Sequence, residues 1–230
     1  MKILILPGLD GTGKTLGHFV QALEKTHEPN VLAYPVDSKL DYDKLADLAA
    51  AKLPEGEASV LVAESFSGPV AIKLAVAIPS RIRGIVFVAS FADRPSALPG
   101  PIAGLSRLIP LNAAWVLRLS RHFTLGQWAR PEIEATFRSE MANVASDVLA
   151  YRLGLAMNVD ARPDLAKIEL PMTYLRPRQD RLVSTSAAER MRKCNPRLTI
   201  RGMDGPHFLL QARPEECAAI VSEFCEGLVD

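Results

Sequence analysis

The chain has little of what metal-binding, disulfide-stapled or nucleic-acid-binding proteins require. Its cysteines number three, an odd count that makes a poor disulfide framework, and their spacing fits no metal motif: Cys194, Cys217 and Cys225. The formal net charge over 230 residues is +1, so we expect no basic surface for general nucleic-acid binding. Internal repeats and low-complexity segments are also missing. What remains, 48% hydrophobic and 23% charged residues, is typical of a globular protein with one core.

The sequence also lacks a membrane-spanning or secretory segment. No apolar run reaches the length of a spanning helix, and residues 1–6 are followed at once by Pro7 and Gly8, which leaves no room for the apolar part of a signal peptide. We therefore expect a cytoplasmic protein without stable membrane insertion. No feature of the sequence indicates an oligomeric state.

Strand-like and helix-like segments alternate along most of the chain, a pattern that favours a parallel sheet with helices on both faces. The predicted strands cover residues 2–6, 31–34, 59–63, 84–90, 172–176 and 197–200. The alternation stops between about Phe91 and Leu170, where prolines punctuate helix-forming sequence. We expect residues 1–91 and 171–230 to form an α/β core and residues 92–170 to form an inserted helical cap.

The most informative segment is SVLVAESFSG, residues 59–68, where a strand is followed at once by a helix that Pro69 is suited to begin. A strand that turns sharply into a helix exposes the residue at the apex, here Ser65. Ala63 and Ser67, two positions to either side, are small enough for such a strained turn. Ser67 is the competing serine, but it lies further from the strand and would put Pro69 where a small residue is needed. Because this short pattern occurs often by chance, Ser65 needs support from elsewhere in the chain.

The chain has four histidines, and one of them stands where a catalytic base is expected. His207 follows a predicted strand through residues 202–206, a loop rich in Gly and Pro, and catalytic groups commonly lie in loops at strand ends. The other three fall in helical or arginine-rich sequence, and we interpret them as surface or packing residues: His18, His27 and His122. A solvated loop histidine is the alternative for His207, and the serine and acid found after other strands disfavour it.

An aspartate completes the set. Asp180 lies four residues beyond Arg176, the end of a predicted strand, and precedes His207 in the chain. An ion pair with a flanking arginine is its alternative role. The order Ser, Asp, His is expected for a nucleophile, an orienting acid and a base on this architecture, which places Asp180 ahead of the other candidate acids, Glu64, Asp160 and Asp204.

With these residues the chain resembles the α/β-hydrolase superfamily over nearly its whole length. Residues 63–67, AESFS, match the superfamily's nucleophile elbow, and Asp180 and His207 match its acid and base. The resemblance implies a mostly parallel α/β-hydrolase sheet, flanked by helices, with a helical cap insertion. It also implies a minimal version of the fold, because the family usually has two further strands before the loop that here follows the first strand.

That loop, PGLDGTG at residues 7–13, resembles the oxyanion loop of the superfamily. By this resemblance the backbone N–H groups of Leu9 and Phe66, with Asp10 as a further candidate, would stabilise the negative oxygen of a tetrahedral intermediate. Stabilising that oxygen is usually the largest single contribution to such a reaction.

The resemblance implies a serine hydrolase that cleaves a carboxylic ester or thioester of a small to medium acyl substrate through an acyl-enzyme, without metal or cofactor. The only expected partner is the small-molecule ester. We expect the cap to shape the pocket, with Asp10, Trp115 and Phe123 contacting the substrate. Residues 94–131 include five arginines and no Lys, Asp or Glu, so this stretch could attract an anionic substrate or lipid, although a packed helix with solvated arginines is the simpler interpretation.

A competing motif occupies the same loop. Residues 8–15, GLDGTGKT, match the phosphate-binding pattern G-x-x-x-x-G-K-[ST], in which Lys14 would reach the terminal phosphates of a nucleotide and Thr15 would coordinate magnesium. A P-loop enzyme of this kind also needs a second hydrophobic strand that ends in Asp. Neither candidate fits, because residues 31–37 are interrupted by a proline and residues 60–64 end in Glu64.

The nucleotide interpretation also gives no role to Ser65 or His207, so the sequence favours the hydrolase. A third interpretation is a non-catalytic ligand binder on the same fold, since one fold hosts many functions. Binding alone gives no reason for three reactive groups at three strand ends, and we rank it last.

Overall fold

The central element of the fold is a six-stranded sheet. A computed structural model describes residues 1–95 and 110–228 of the chain. In these residues the strands are β1 (Lys2–Leu6), β2 (Glu28–Val31), β3 (Ser59–Glu64), β4 (Ile82–Val88), β5 (Met172–Pro177) and β6 (Leu198–Met203). Their order is β2-β1-β3-β4-β5-β6, and each pair is parallel. The carboxyl ends of all six strands therefore meet at one edge of the sheet, where ligands bind in open α/β folds.

Helices connect the strands. They are α1 (Gly17–Leu23), α2 (Tyr42–Lys52), α3 (Gly68–Ala77), α4 (Ala114–Thr124), α5 (Pro131–Asn143), α6 (Ser146–Asn158), α7 (Arg162–Leu165), α8 (Ser186–Cys194), α9 (Leu209–Ala212) and α10 (Pro214–Glu226). Short 3₁₀ turns lie at Lys14–Leu16, Ser65–Ser67, Pro79–Arg81 and Gly126–Trp128. Across the parts of the chain that the structure describes, no helix combines the length and the apolar character needed to cross a membrane.

The sheet has an apolar layer on each face because its central strands β1, β3 and β4 are mostly apolar. In β1, Leu4 and Leu6 contribute to a cluster with helices α2, α3 and α8, while Ile3 and Ile5 contribute to a cluster with α1, α9 and α10. Successive side chains of a strand point to opposite faces, so this alternation follows from the backbone alone. Near-continuous apolar strands are typical of a parallel sheet buried on both sides.

Helices α4 to α7 lie between β4 and β5, in the segment for which the sequence predicted helices and no strand. A third apolar cluster joins α4, α5 and α6 through Leu117, Phe137, Met141, Val144, Val148 and Leu149. Phe208, next to His207, packs against this cluster, with its ring 5.2 Å from that of Phe137. The Phe208 N–H also donates to the Thr124 carbonyl at 3.0 Å. These helices therefore lie directly beside the loop that carries His207.

Three predicted strands have bounds that differ by more than a single residue in the structure, and one of them, expected at residues 84–90, forms β4 at Ile82–Val88. The strand expected at residues 31–34 occupies Glu28–Val31, since Lys2 to Ile5 of β1 pair with these residues. Leu32 and Tyr34 are buried just beyond it, which explains why they gave the stronger apolar signal. The last strand extends to Met203 because Gly202 and Met203, expected in a loop, pair with the end of β5.

Candidate active site

Ser65 lies where β3 turns into α3. Its φ angle is 47°, in the left-handed region that residues other than glycine rarely adopt. The turn is close because Gly68 lies against the backbone of the neighbouring strand end: a Cβ at this position would overlap Ser90 Oγ and lie 2.6 Å from the Phe91 carbonyl oxygen. The expected sharp turn is therefore present, and Gly68 is a requirement that the sequence pattern around Ser65 did not include.

Hydrogen bonds from the segment that follows β4 hold this turn in place. Ser90 Oγ donates a hydrogen bond of 2.6 Å to the Ser65 carbonyl, and the Tyr174 hydroxyl donates one of 2.6 Å to the Ser90 carbonyl. Both Ser90 and Tyr174 are buried, so these bonds are protected from water. The strained conformation of Ser65 is thus held by its surroundings, as strained residues at functional sites generally are.

The structure brings the three predicted reactive groups together. Ser65 Oγ lies 2.9 Å from His207 Nε2, and His207 Nδ1 lies 2.9 Å from Asp180 Oδ2. The other Asp180 oxygen, Oδ1, accepts the N–H groups of Leu182 at 2.8 Å and Val183 at 2.9 Å. These backbone bonds fix the carboxylate so that Oδ2 faces the imidazole. The Asp180–His207–Ser65 line has the geometry in which an imidazole can take the proton of a hydroxyl.

The surroundings of His207 act on its pKa in opposite directions. His207 is only 4% exposed, and burial lowers its pKa, because the charged imidazolium loses water. The charge and hydrogen bond of Asp180, together with the charge of Glu64, outweigh burial and raise the pKa above its ordinary value of 6.5. Asp180 and Glu64 therefore make the His207 imidazole a stronger base than a free histidine side chain.

The glycine-rich loop, residues 7–13, lies against this turn because Leu6 pairs with Ala63, so β1 and β3 end side by side. Several bonds hold its main chain. Gly8 donates its N–H to Glu64 Oε2 at 3.1 Å, and its carbonyl accepts the Gly11 N–H at 3.1 Å. Each of these bonds restricts the direction in which the loop's remaining N–H groups can point.

Ser67 and Tyr34 tie the start of the same loop to the elbow. Ser67 Oγ donates to the Pro7 carbonyl and accepts from the Tyr34 hydroxyl at 2.6 Å. The Tyr34 N–H donates to the Gly11 carbonyl at 2.7 Å. Ser67, the competing serine of the sequence, is fully buried and engaged in these bonds, so the structure places Ser65 rather than Ser67 at the histidine.

Glu64 is a buried carboxylate immediately before Ser65. Besides the Gly8 N–H, it accepts the Gln211 side-chain amide at 2.8 Å. Burial raises the pKa of Glu64 to about 7, and the charge of Asp10 adds to this, while the bonds from Gln211 and Gly8 and the charge of His207 lower it. Sequence reasoning ranked Glu64 only as a weaker candidate acid and missed its contact with the loop.

Arg152, on α6, is a second residue of this region that no sequence pattern indicates. Its side chain is buried, and its nitrogens donate to the main-chain carbonyls of Leu9, Asp10 and Pro35. A lone arginine inside a helix belongs to no motif, so only the spatial arrangement reveals that α6 contacts the glycine-rich loop.

The three residues expected to contact the substrate differ in burial: Asp10 is buried, whereas Trp115 and Phe123 are exposed. The Asp10 carboxylate is buried and accepts both the N–H and the hydroxyl of Thr12, at 3.0 and 2.6 Å. Trp115 and Phe123 lie on α4 with exposed fractions of 59% and 40%. Phe123 packs edge-on against His122, whose ring Nε2 lies 2.6 Å from Arg181 Nη1, beside Asp180. The helix that carries Trp115 and Phe123 is thus near the acid, and their contact with a substrate stays a prediction.

The nucleotide-binding interpretation finds no support. Three N–H groups of this loop, those of Gly8, Gly11 and Thr12, donate to protein acceptors and are not available to a phosphate. Lys14 Nζ lies 3.2 Å from Glu140 Oε2 on α5. The segment after the loop begins as a three-residue 3₁₀ turn, Lys14–Leu16, rather than as the α-helix whose first N–H groups hold a phosphate.

Comparison with known proteins agrees with the fold. The profile described as the alpha/beta hydrolase family matches residues 3–220. The chain therefore belongs to the α/β hydrolase family, and the membership supports a hydrolase. A curated relative, the "Biotin biosynthesis bifunctional protein BioHC" of Cellvibrio japonicus, is 25% identical over 192 residues, which are 80% of this chain. This chain spans only 38% of the length of that relative.

Solved structures share the architecture over nearly the whole chain. A bromoperoxidase from Bacillus anthracis has a TM-score of 0.85 and 15% identity, covering 98% of this chain and 91% of that one. A thermophilic esterase from Thermogutta terrifontis gives 0.84 and 17%, covering 99% and 90%. An enol-lactonase from Burkholderia xenovorans LB400 gives 0.83 and 17%, covering 98% and 91%. At these identities the likeness establishes the fold, and the chemistry must be argued from the site.

Proposed function

We propose that this protein is a serine hydrolase that cleaves a carboxylic ester or thioester of a small to medium acyl group. The observation that carries the proposal is the line of contacts from Ser65 Oγ to His207 Nε2 and from His207 Nδ1 to Asp180 Oδ2, each 2.9 Å long. A buried imidazole between a carboxylate and a hydroxyl at a strained apex is the arrangement that activates a serine nucleophile.

In the proposed reaction His207 Nε2 takes the proton of Ser65 as Oγ attacks the carbonyl carbon of the substrate. Asp180 keeps the proton of the ring on Nδ1 and stabilises the imidazolium. His207 then gives its proton to the leaving alcohol or thiol, which departs and leaves an acyl group on Ser65. Water, deprotonated by the same imidazole, attacks this acyl-enzyme, and the carboxylic acid leaves as Ser65 regains its proton.

The negative oxygen of each tetrahedral intermediate would be stabilised by the N–H groups of Phe66 and of Leu9 or Asp10. The Phe66 N–H is at the start of the Ser65–Ser67 turn that leads into α3, where N–H groups lack partners within the helix. Among residues 1–95 and 110–228 we find no acceptor for the N–H of Leu9 or Asp10. Each such donor contributes roughly two to three powers of ten in rate.

The substrate pocket is proposed to lie between this site and the inserted segment, residues 92–170. The Phe208 N–H donates a hydrogen bond to the carbonyl of Thr124, the last residue of α4. This bond brings the inserted helices beside His207. Trp115 and Phe123 on α4 are proposed to contact the acyl or alcohol portion, and Asp10 is proposed to line the loop side. The length and charge of the acyl group would then be selected by these helices.

The deciding experiment is Ser65→Ala, assayed with a series of chromogenic esters of increasing acyl length and with a fluorophosphonate label. We expect both turnover and labelling to be abolished, while the wild-type protein shows a graded preference along the series. Ser222→Ala is the matched control. Ser222 Oγ also lies 3.0 Å from a histidine nitrogen, Nε2 of His27, but among the described residues His27 Nδ1 has no hydrogen-bond partner.

Turnover that survives Ser65→Ala would refute the proposal. Saturable binding of an ester that is never hydrolysed, and is unaffected by Ser65→Ala, would instead identify a ligand-binding protein. Tight, magnesium-dependent ATP binding that is lost in Lys14→Ala would restore the nucleotide interpretation.

A further inference from the structure

Arg152 is a buried cation that contacts the glycine-rich loop from the inserted helices. Its side chain is only 2% exposed. Nη1 donates to the carbonyls of Leu9 at 2.9 Å and Asp10 at 2.8 Å, and Nη2 donates to that of Pro35 at 2.8 Å. The guanidinium carbon also lies 5.6 Å from the centre of the Tyr34 ring. One side chain of α6 therefore holds three main-chain positions that lie more than a hundred residues away in sequence.

This placement is costly for a residue whose task is only to fill space. Removing a guanidinium from water carries a large penalty, and its bonds here go to neutral carbonyls that repay only part of it. A methionine or leucine would fill a similar volume at a helix position without that penalty. The arginine is therefore better explained by what its hydrogen bonds do to the loop than by the stability of α6.

The carbonyls that Arg152 holds determine where neighbouring N–H groups point. In a planar trans peptide the C=O of one residue and the N–H of the next point in opposite directions. Fixing the Leu9 carbonyl therefore fixes the Asp10 N–H. Fixing the Asp10 carbonyl fixes the Gly11 N–H, which donates to the Gly8 carbonyl at 3.1 Å. The Gly8 carbonyl belongs to the same peptide as the Leu9 N–H, so both candidate donors are oriented through one guanidinium.

The loop is shaped for this contact. Gly11 has a φ of 74°, and a Cβ there would lie 2.6 Å from Arg152 Nη1 and 2.8 Å from Tyr34 Cβ. A side chain at this position would thus be strained by the backbone and would also push the guanidinium away from the carbonyls. Lysine cannot replace the arginine equivalently, because a single ammonium lacks the rigid planar fork that reaches carbonyls on two sides.

We infer that Arg152 is a positioning residue that sets the orientation of the oxyanion-binding N–H groups of Leu9 and Asp10 from helix α6. The inference rests on the proposed serine hydrolase function and extends it. It makes the inserted helices part of the machinery that stabilises the tetrahedral intermediate, in addition to shaping the substrate pocket. Arg152 itself does not touch the reacting atoms.

The test compares Arg152→Met and Arg152→Lys with wild type, using Arg162→Met as a matched control. Arg162 is an exposed arginine on the next helix, α7, whose partner is Asp160 at 2.7 Å. For Arg152→Met we expect kcat to fall by roughly 10- to 100-fold, somewhat less than the loss of a whole donor, with KM within about threefold. Arg152→Lys should lie between Met and wild type, because it retains the charge and some donors.

Two further measurements separate positioning from mere stability. Phenylboronic acid forms a tetrahedral, negatively charged adduct with an active-site serine, so its inhibition constant in Arg152→Met should rise by about the same factor as kcat falls. Hydrogen exchange of the amides in residues 8–12 should accelerate in Arg152→Met and stay unchanged in Arg162→Met. This exchange measurement does not depend on turnover, so it reports on the loop even if the proposed function is wrong.

An Arg152→Met protein that keeps wild-type kcat, boronate affinity and loop exchange overturns the inference while leaving the Ser65 test untouched. A lower melting temperature with unchanged kcat well below melting would also overturn it, since that is the result of a purely structural role. If Arg152→Met fails to fold, the same three measurements on Arg152→Lys decide, with wild-type values counting against the inference. Loss of activity in Ser65→Ala, by contrast, bears only on the proposed function.

Discussion

The Glu64 carboxylate accepts the Gly8 N–H at 3.1 Å, which joins the residue before the candidate nucleophile to the loop that faces it. The bond lies in the interior, and its acceptor is an acid whose pKa burial raises to about 7. Glu64 therefore changes its charge within the range in which the protein is expected to work. The contact between elbow and loop is therefore sensitive to pH.

The free energy of unfolding should fall between pH 4.5 and pH 7 because of Glu64. Below pH 4.5, the ordinary pKa of the group, Glu64 is protonated in both the folded and the unfolded chain. As the pH rises to about 7, the unfolded chain releases this proton while the folded protein keeps it, which favours unfolding. The loss is about 3 kcal/mol in order of magnitude and is complete above the folded pKa.

Urea unfolding of wild type and Glu64→Gln at intervals across this range measures the effect. The glutamine variant should lose about 3 kcal/mol less than wild type over the same interval. Glu57→Gln is the control, since Glu57 is an exposed residue paired with Lys2. Equal losses in wild type and Glu64→Gln would contradict the assignment of a buried, titrating carboxylate.

The rate of ester hydrolysis should fall at acid pH with an apparent pKa above 6.5. His207 must be neutral to accept the serine proton, and its pKa is raised above that value, chiefly because Asp180 outweighs burial. Glu64→Gln removes one of the negative charges that raise it, so the acid limb should move to lower pH. A profile of kcat/KM from pH 5 to pH 9 checks both statements. An acid limb at or below 6.5, or one that Glu64→Gln leaves in place, would count against them.

Asp180→Asn should lower kcat by about four powers of ten with little change in KM. The asparagine oxygen can keep the bonds to Leu182 and Val183, which then directs its amide nitrogen at His207 Nδ1. His207 Nδ1 must then accept a hydrogen bond from that amide, so the single ring proton moves to Nε2. Nε2 faces Ser65 and needs a free lone pair to take the serine proton. Steady-state kinetics gives the comparison with Asp204→Asn, which changes an exposed partner of Arg178. Similar rates for both variants would remove Asp180 from the proposed mechanism.

Gly68→Ala should damage both stability and activity. The added Cβ would overlap Ser90 Oγ, whose hydrogen bond supports the Ser65 carbonyl, and would crowd the Phe91 carbonyl oxygen at 2.6 Å. Overpacking of this kind costs about 1–3 kcal/mol. Thermal unfolding and ester turnover are the measurements.

Gly17→Ala is the matched control for that substitution. Gly17 begins α1 with a φ of −52°, and a Cβ there meets nothing within 4 Å. We expect it to gain up to about 1 kcal/mol, since alanine has less freedom in the unfolded chain. A Gly68→Ala protein as stable and active as Gly17→Ala would show that the elbow is not tightly packed.

The sequence was sufficient to predict that Ser65, Asp180 and His207 lie close together, because each follows a strand of the parallel sheet. The apolar strands before Ser65 and Asp180 are read from local pattern, and parallel topology then brings their carboxyl ends to one edge. His207 lies at the expected edge even though β6 extends three residues further than predicted, to Met203, because the loop after β6 still begins at that edge. Errors in strand length do not move a residue to the other edge of a sheet.

The supporting residues could not be found in this way, since their roles depend on contacts between distant segments. Arg152 sits in the middle of a helix, and its bonds to Leu9 and Asp10 span more than 140 residues. Glu64 reads as one carboxylate among many until Gly8 is seen to lie against it. The placement of β2 failed for a similar reason, because its register is set by pairing with β1 rather than by its own polar sequence.

The positive φ of Ser65 lowers the stability of the folded protein at the position where the proposed reaction needs a serine. Holding a serine at a φ of 47° stores about 1–3 kcal/mol of strain, which glycine would relieve at a smaller entropic cost of about 0.5–1 kcal/mol. Ser65→Gly should therefore melt at a higher temperature than the wild-type protein while being inert toward esters. Selection for thermal stability alone would therefore favour inactive variants at position 65.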